Sequence, residues 1–202
     1  MVYNRIMHKD HDNFIVDNIF TNQEIDEIYN YINNTPEEHK LLINHLGQVA
    51  YQVGLPEHIL IQVEKIMNSV LQYPVKLANA SFATYSNEAG YSPKLFPHYD
   101  AAFDEPRITL DIQLKSNFNW DLFVEGKKFS LKDNQALVFS GTNQIHWREN
   151  QKILDGQKLD MIFCHFSSTK YPTFENNWKE TMESRQLMWR DKVAIIIEEK
   201  KI

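Results

Sequence analysis

Arg107-Ile-Thr-Leu-Asp-Ile-Gln-Leu-Lys115 is the most regular stretch of the chain. Ile108, Leu110, Ile112 and Leu114 fall on one side of an extended backbone, and Thr109, Asp111 and Gln113 on the other. That period of two belongs to a strand with two different faces. Outward from it the same habit recurs. Lys76 to Ser86 is rich in small and β-compatible residues, and Trp120 to Glu125 and Lys127 to Leu131 flank Gly126 as a hairpin. Ala136 to Ser140 is a short apolar strand ended by Gly141, and Ile145 to Arg148 reads as another. Asp155-Gly156 marks a turn before a last strong strand, Leu159 to Phe166.

Helical patterning brackets this β-rich middle. Thr21-Asn-Gln-Glu24 spells a capping box, followed by an apolar stripe at Ile25, Ile28, Tyr29 and Ile32. Pro36 ends that helix or lies just past it. A second begins near Pro56, buries Ile59, Val63, Ile66, Met67 and Val70, and ends at Pro74. The tail is expected to return to helix near Glu175 to Arg190, before a β-prone run from Val193 to Ile197 and a charged end, Glu198 to Lys201. Short strands separated by turns predict an antiparallel sandwich or barrel of jelly-roll type. The expected class is α+β in a single domain over 1–202: helical support at 1–75, a β core at 76–170 and a helical tail at 171–202.

Composition narrows the function. Of 202 residues, 43% are hydrophobic and 12% aromatic, enough for a buried core rather than disorder. The net charge of −6, with no basic run, argues against a nucleic-acid partner. Cys164 is the one cysteine, so no disulfide can form within the chain, and a reducing, cytoplasmic setting is expected. The opening MVYNRIMHKDHDNFIV has no apolar signal core, and no window approaches the ~18 apolar residues of a membrane span. Oligomeric state is left open.

The chemistry concentrates in His98-Tyr99-Asp100. In a strand, residues i and i+2 share a face, so an imidazole and a carboxylate converge on one ion. His146, following another strand, is the candidate third ligand, completing a facial triad of the kind that holds non-haem Fe(II) with its opposite side open. His8-Lys9-Asp10 repeats the triplet in polar sequence without strand pattern and reads as a solvated terminus.

Ser81 to Phe166 resembles the catalytic core of the Fe(II)/2-oxoglutarate-dependent oxygenases, especially the prolyl 4-hydroxylase-like branch. The resemblance is carried by Phe82-Ala-Thr-Tyr85, Phe96-Pro-His-Tyr-Asp100, Ile108 to Leu114, Ala136 to Gly141 and Ile145-His-Trp-Arg148. Phe14 to Glu24 resembles the entry into that family's first helix. What the resemblance implies is a double-stranded β-helix (jelly roll) core, with N-terminal helices packed on it and a C-terminal helix. Fe(II) would be held by His98, Asp100 and His146, with 2-oxoglutarate as cosubstrate, dioxygen as oxidant, and succinate and CO2 released as a C–H bond is hydroxylated. The cosubstrate's far carboxylate requires a cation. Matching Met161 to Phe166 to the family's last core strand puts the usual basic position near Asp160, a departure. Arg148 and Lys158 are the candidate anchors, and Tyr85 resembles the tyrosine that bonds the same carboxylate.

Other residues read more plainly. His165 is expected to be structural, His39, His45 and His58 to lie on the surface, Cys164 to be a buried inert thiol and Trp147 to point outward by parity. Arg107 reads as a solvated strand start or a substrate contact, and Asp104-Glu105 as wet or substrate-facing. Ser86 to Pro97 and Ala101 to Pro106 are expected to border the entrance. The substrate is open between a small molecule and a peptide, prolyl residues included. The competing classes are a jelly-roll binding module without turnover and a cupin-like metalloenzyme such as an isomerase.

Overall fold

A computed structural model describes residues 13–43, 50–71, 73–87, 94–103, 105, 107–168 and 177–199, without the side chains of 43, 50, 51 and 194–199. His8 to Asp10, His45, Asp104, Pro106, residues 88–93 of the expected entrance, and 200–201 of the charged tail lie outside the described residues. The N-terminal part contains β1 (Phe14–Asp17), α1 (Asn22–Asn33), a 3-10 turn at Glu37–His39, β2 (Leu41–Ile43), β3 (Ala50–Val53) and α2 (Glu57–Val70). The middle runs β4 (Lys76–Ser86), β5 (Leu95–His98), β6 (Ile108–Ser116), β7 (Leu122–Val124), β8 (Lys127–Phe129), β9 (Gln135–Phe139), β10 (His146–Arg148) and β11 (Lys158–Ser167). α3 (Trp178–Glu199) follows.

Two antiparallel sheets result. The larger has the order β1-β9-β6-β11-β4-β3-β2 and the smaller β5-β10-β7-β8. The two faces of the founding strand explain the layering. Ile108, Leu110, Ile112 and Leu114 join Ile162, Cys164 and Phe166 of β11 against Ile28, Ile59, Val63 and Met67 of the helices. Each such side chain contributes about 1.5–3 kcal/mol when fully buried. The other face meets the smaller sheet, where Leu137 and Phe139 of β9 pack with Leu95, Leu122, Val124 and Phe129. Thr109, Asp111 and Gln113 therefore point into the space between the sheets, and all three are buried.

The chain's start is tied to this frame through Asn134, which adopts a left-handed backbone at φ 61°. Its side-chain amide donates to the Phe20 carbonyl at 2.7 Å, and its Oδ1 accepts from the Phe20 amide at 2.9 Å. The capping box forms as read, with Thr21 and Glu24 bonded reciprocally.

Two expectations change. The first third is not purely helical: β1 pairs with β9, and β2 and β3 extend the sheet beyond β4. Strands of three or four residues are too short to show a period, and they form because exposed sheet edges recruit them. The run Val193 to Ile197 is not a strand but the continuation of α3. Packing overrides its β propensity: Met182 and Val193 lie with Tyr99, Ile145 and Trp147 on the outer side of the smaller sheet. Among the described residues no helix is long and apolar enough to cross a membrane.

Candidate metal centre

His98 and His146 sit directly opposite each other in the β5–β10 register, their ring centroids 4.1 Å apart. The third ligand candidate thus comes from the neighbouring strand. Each Nδ1 lies against the carbonyl two residues earlier, Phe96 O at 2.8 Å and Gln144 O at 3.0 Å. A carbonyl only accepts, so both Nδ1 atoms carry the proton and both Nε2 lone pairs are free. Asp100 stands past the end of β5, so strand parity is not what aims it. Its backbone amide donates to Gly141 O at 2.8 Å. Asp100 Oδ1 is 3.7 Å from His146 Nε2, while Oδ2 accepts from Thr109 Oγ1 at 3.2 Å. One ligand atom from each of the three residues lies within 4.8 Å of the others.

The charges suit a cation. Burial, then the neighbouring His146, hold the His98 imidazole well below its ordinary range and therefore neutral. Burial pushes the Asp100 carboxyl up, but His146, His165, His98 and the Thr109 bond outweigh it and keep it ionised. Two imidazoles and one carboxylate form a donor set for a divalent transition metal.

A cavity of about 600 Å³ opens beside the three residues, lined by Thr109, Asp111, Phe163 and His165 from the larger sheet and by Glu183 and Gln186 from α3, among others. His165 thus stands at the cavity. Its Nδ1 is 3.2 Å from Thr109 Oγ1 and 3.7 Å from Asp100 Oδ2, and the Phe103 ring packs on it at 4.9 Å. Its odd-numbered position, shared with Phe163 and Met161, carried that signal in the sequence.

The two candidate anchors are separated by strand parity. Arg148 is on the inner side of β10, 4% exposed, its Nη1 donating to the Trp120 carbonyl and its Nη2 3.7 Å from Met161 Sδ. Burial lowers its pKa while Tyr85, Asp111 and Asp121 oppose that, and a guanidinium stays charged. Tyr85 is buried edge-on to Trp120 and Phe163. Lys158 lies on the helix side of β11, in a separate cleft with Lys115 and Tyr29, 3.4 Å from Asp160. Asp160 accepts there from Tyr29 and Thr84, both at 2.8 Å. Lys158 is therefore not brought together with the three metal-ligand candidates.

The remaining residues fall as follows. Arg107 is not a solvated strand start: its Nε and Nη1 are buried without a hydrogen-bond partner among the described residues, and Nη2 pairs with Glu105 at 2.5 Å. Trp147 points outward, stacked on Phe123 and against Trp189 of α3. Burial, then Asp111, push the Cys164 thiol up, which makes it inert. His39 is exposed, and His58 is exposed and paired with Glu27 at 2.9 Å.

Solved structures share this fold. An oxidoreductase of the 2-oxoglutarate–Fe(II) oxygenase family from Burkholderia pseudomallei aligns with a TM-score of 0.59 at 12% identity, over 77% of this chain and 85% of that one. The chain has the fold of the 2-oxoglutarate–Fe(II) oxygenases. A Pseudomonas putida prolyl-4-hydroxylase shares this oxygenase fold with a TM-score of 0.57 at 10% identity, over 77% and 92% of the two chains. HygX from Streptomyces hygroscopicus, solved with nickel and 2-oxoglutarate bound, does so with a TM-score of 0.57 at 8% identity, over 81% and 85%. No protein-family profile and no curated protein matches the chain.

Proposed function

We propose that this protein is a non-haem Fe(II)- and 2-oxoglutarate-dependent dioxygenase built on a double-stranded β-helix (jelly roll). The observation that carries the reading is the convergence of His98, Asp100 and His146 within 4.8 Å at the edge of the cavity. Iron bound there, with 2-oxoglutarate and dioxygen, supplies hydroxylation of a substrate C–H bond coupled to release of succinate and CO2. The chain's own groups do the rest. The Phe96 and Gln144 carbonyls fix the tautomers of the two imidazoles. Thr109 donates to Asp100 Oδ2 and so holds the carboxylate in place, with Oδ1 on the side of His146 where an ion would be held. Arg148, buried on the inner side of β10 behind the residues that line the cavity, and Tyr85 would hold the far carboxylate of the cosubstrate, with the donors that Arg148 directs to Trp120 and Met161 turned to it. Phe103 and Phe163 keep water from the reacting centre. A cavity of about 600 Å³ takes a small molecule or a peptide side chain, a prolyl residue included.

The test is anaerobic addition of Fe(II) and 2-oxoglutarate, followed by a succinate-release screen over substrate pools in air. A visible charge-transfer band and succinate formation are expected, both lost in His98→Ala and Asp100→Ala. Succinate output unchanged by His98→Ala overturns the ligand assignment. A jelly-roll binding module gives no band, and a cupin-like isomerase ignores 2-oxoglutarate.

A further inference from the structure

Asp111 lies outside every role assigned above. It stands two residues along β6 from Thr109 on the same face, opposite Leu137 of β9 and Phe163 of β11. It lines the cavity yet is only 5% exposed, and its Oδ1 is buried with no hydrogen-bond partner among the described residues. An unpaired buried carboxyl is costly, about 1–3 kcal/mol as an unsatisfied polar group and far more as a bare charge. Such a group persists where a ligand completes it.

The surroundings say which kind of ligand. An ionised Asp111 would repel any carboxylate brought between it and Arg148. The fold instead keeps it protonated: burial first, then the Asp100 charge, push it up to about 8, with Arg148 pulling the other way. A protonated carboxyl donates through its O–H, and an apolar pocket that holds a carboxylic acid neutral makes it a strong donor.

We propose that Asp111 is a specificity-determining residue of the cosubstrate site, donating a hydrogen bond to a carboxylate of the bound 2-oxo acid beside Arg148. This rests on the reading of the site as an oxygenase centre. It assigns the buried strand position a donor role that an apolar residue could not fill, and it makes the pocket select an anionic acid.

The experiment compares the full-length protein with Asp111→Asn, which keeps a donor without the acid, and Asp111→Leu, which removes it at similar size. Mn(II) binding is measured alone, and 2-oxoglutarate binding is then titrated anaerobically on the Fe(II) form by the charge-transfer band. Asp111→Leu is expected to weaken 2-oxoglutarate about 10–100-fold, the range of a hydrogen bond to a charged group. Asp111→Asn is expected to stay within about threefold, and Mn(II) affinity to stay unchanged in both. If Asp111→Leu does not fold, Asp111→Ala takes its place under the same criterion. Unchanged or tighter cosubstrate binding in the Leu or Ala variant overturns the proposal. So does an Asn variant that binds tenfold tighter, the mark of an ionised, repelling carboxylate, or one weakened as much as Leu. A wild-type protein that binds no 2-oxoglutarate overturns the oxygenase reading itself, whereas binding that ignores position 111 overturns only this inference.

Discussion

Gly141→Ala should disable the metal centre without touching a ligand. The Gly141 carbonyl accepts the Asp100 amide, which brings the two backbones together. A Cβ built on Gly141 would stand 2.9 Å from Asp100 Cγ, and closer still to Asp100 Oδ2 and Thr109 Oγ1. Carbon–carbon contacts settle at about 3.5–4.0 Å, so the carboxylate must retreat by roughly an ångström. Metal ligands tolerate about 0.2 Å, and loss of outer support alone costs about 10–100-fold in affinity. Gly141→Ala should therefore weaken Mn(II) or Co(II) binding by about 100-fold or more, with Thr109 losing its hold on Oδ2. Calorimetric titration of the metal, alongside a thermal melt to separate unfolding from site damage, reads this directly. A folded Gly141→Ala protein with wild-type metal affinity would refute both the crowding argument and the role of Asp100.

Further outcomes follow from named contacts. Between the ordinary aspartate value of 3.8 and about 8, native Asp111 keeps a proton that the unfolded chain has released. The native state then binds more protons, so stability falls as pH rises, by up to about 1.4 kcal/mol per pH unit. Asp111→Asn should flatten that slope in urea melts from pH 5 to pH 7.5, and an identical slope in both proteins would contradict the assignment. Asn134→Ala removes two bonds to Phe20 and should cost about 2–3 kcal/mol in a urea titration; a loss below half of that would show the N-terminal tie to be dispensable. Arg148→Met should weaken 2-oxoglutarate binding at least tenfold while metal binding holds, and Lys158→Ala, on the opposite face of its strand, should leave both unchanged. A reversal of those two effects would move the anchor to Lys158.

The β core was legible because its alternation is strict. Ile108 to Leu114 and Met161 to Phe166 lie in the sheet as their patterns predict, and the turn at Glu125-Gly126 has the two left-handed residues, φ 50° and 79°, that such hairpins need. What stayed hidden was set by contacts distant in sequence. β1, β2 and β3 are strands because the larger sheet offers them edges, and α3 runs through Val193 to Ile197 because the smaller sheet offers Trp147 and Ile145. Of the site, the spacing of His98 and Asp100 was readable, but the fact that Asp100 leaves the strand and leans on Gly141 was not. The parity of β11 was readable too: Lys158 and Asp160 alternate with Leu159, and only the register on β6 tells which set faces inward.

The direct pairing of His98 with His146 makes this pocket a gauge of strand alignment. A one-residue slip of β10 against its neighbours would carry His146 to the outer surface and turn Trp147 inward, since adjacent side chains on a strand point oppositely. A misaligned chain would lose its imidazole pair. Any ion clasped by both rings consequently favours the correctly zippered strands, so loading the pocket and proofreading the smaller sheet become a single event.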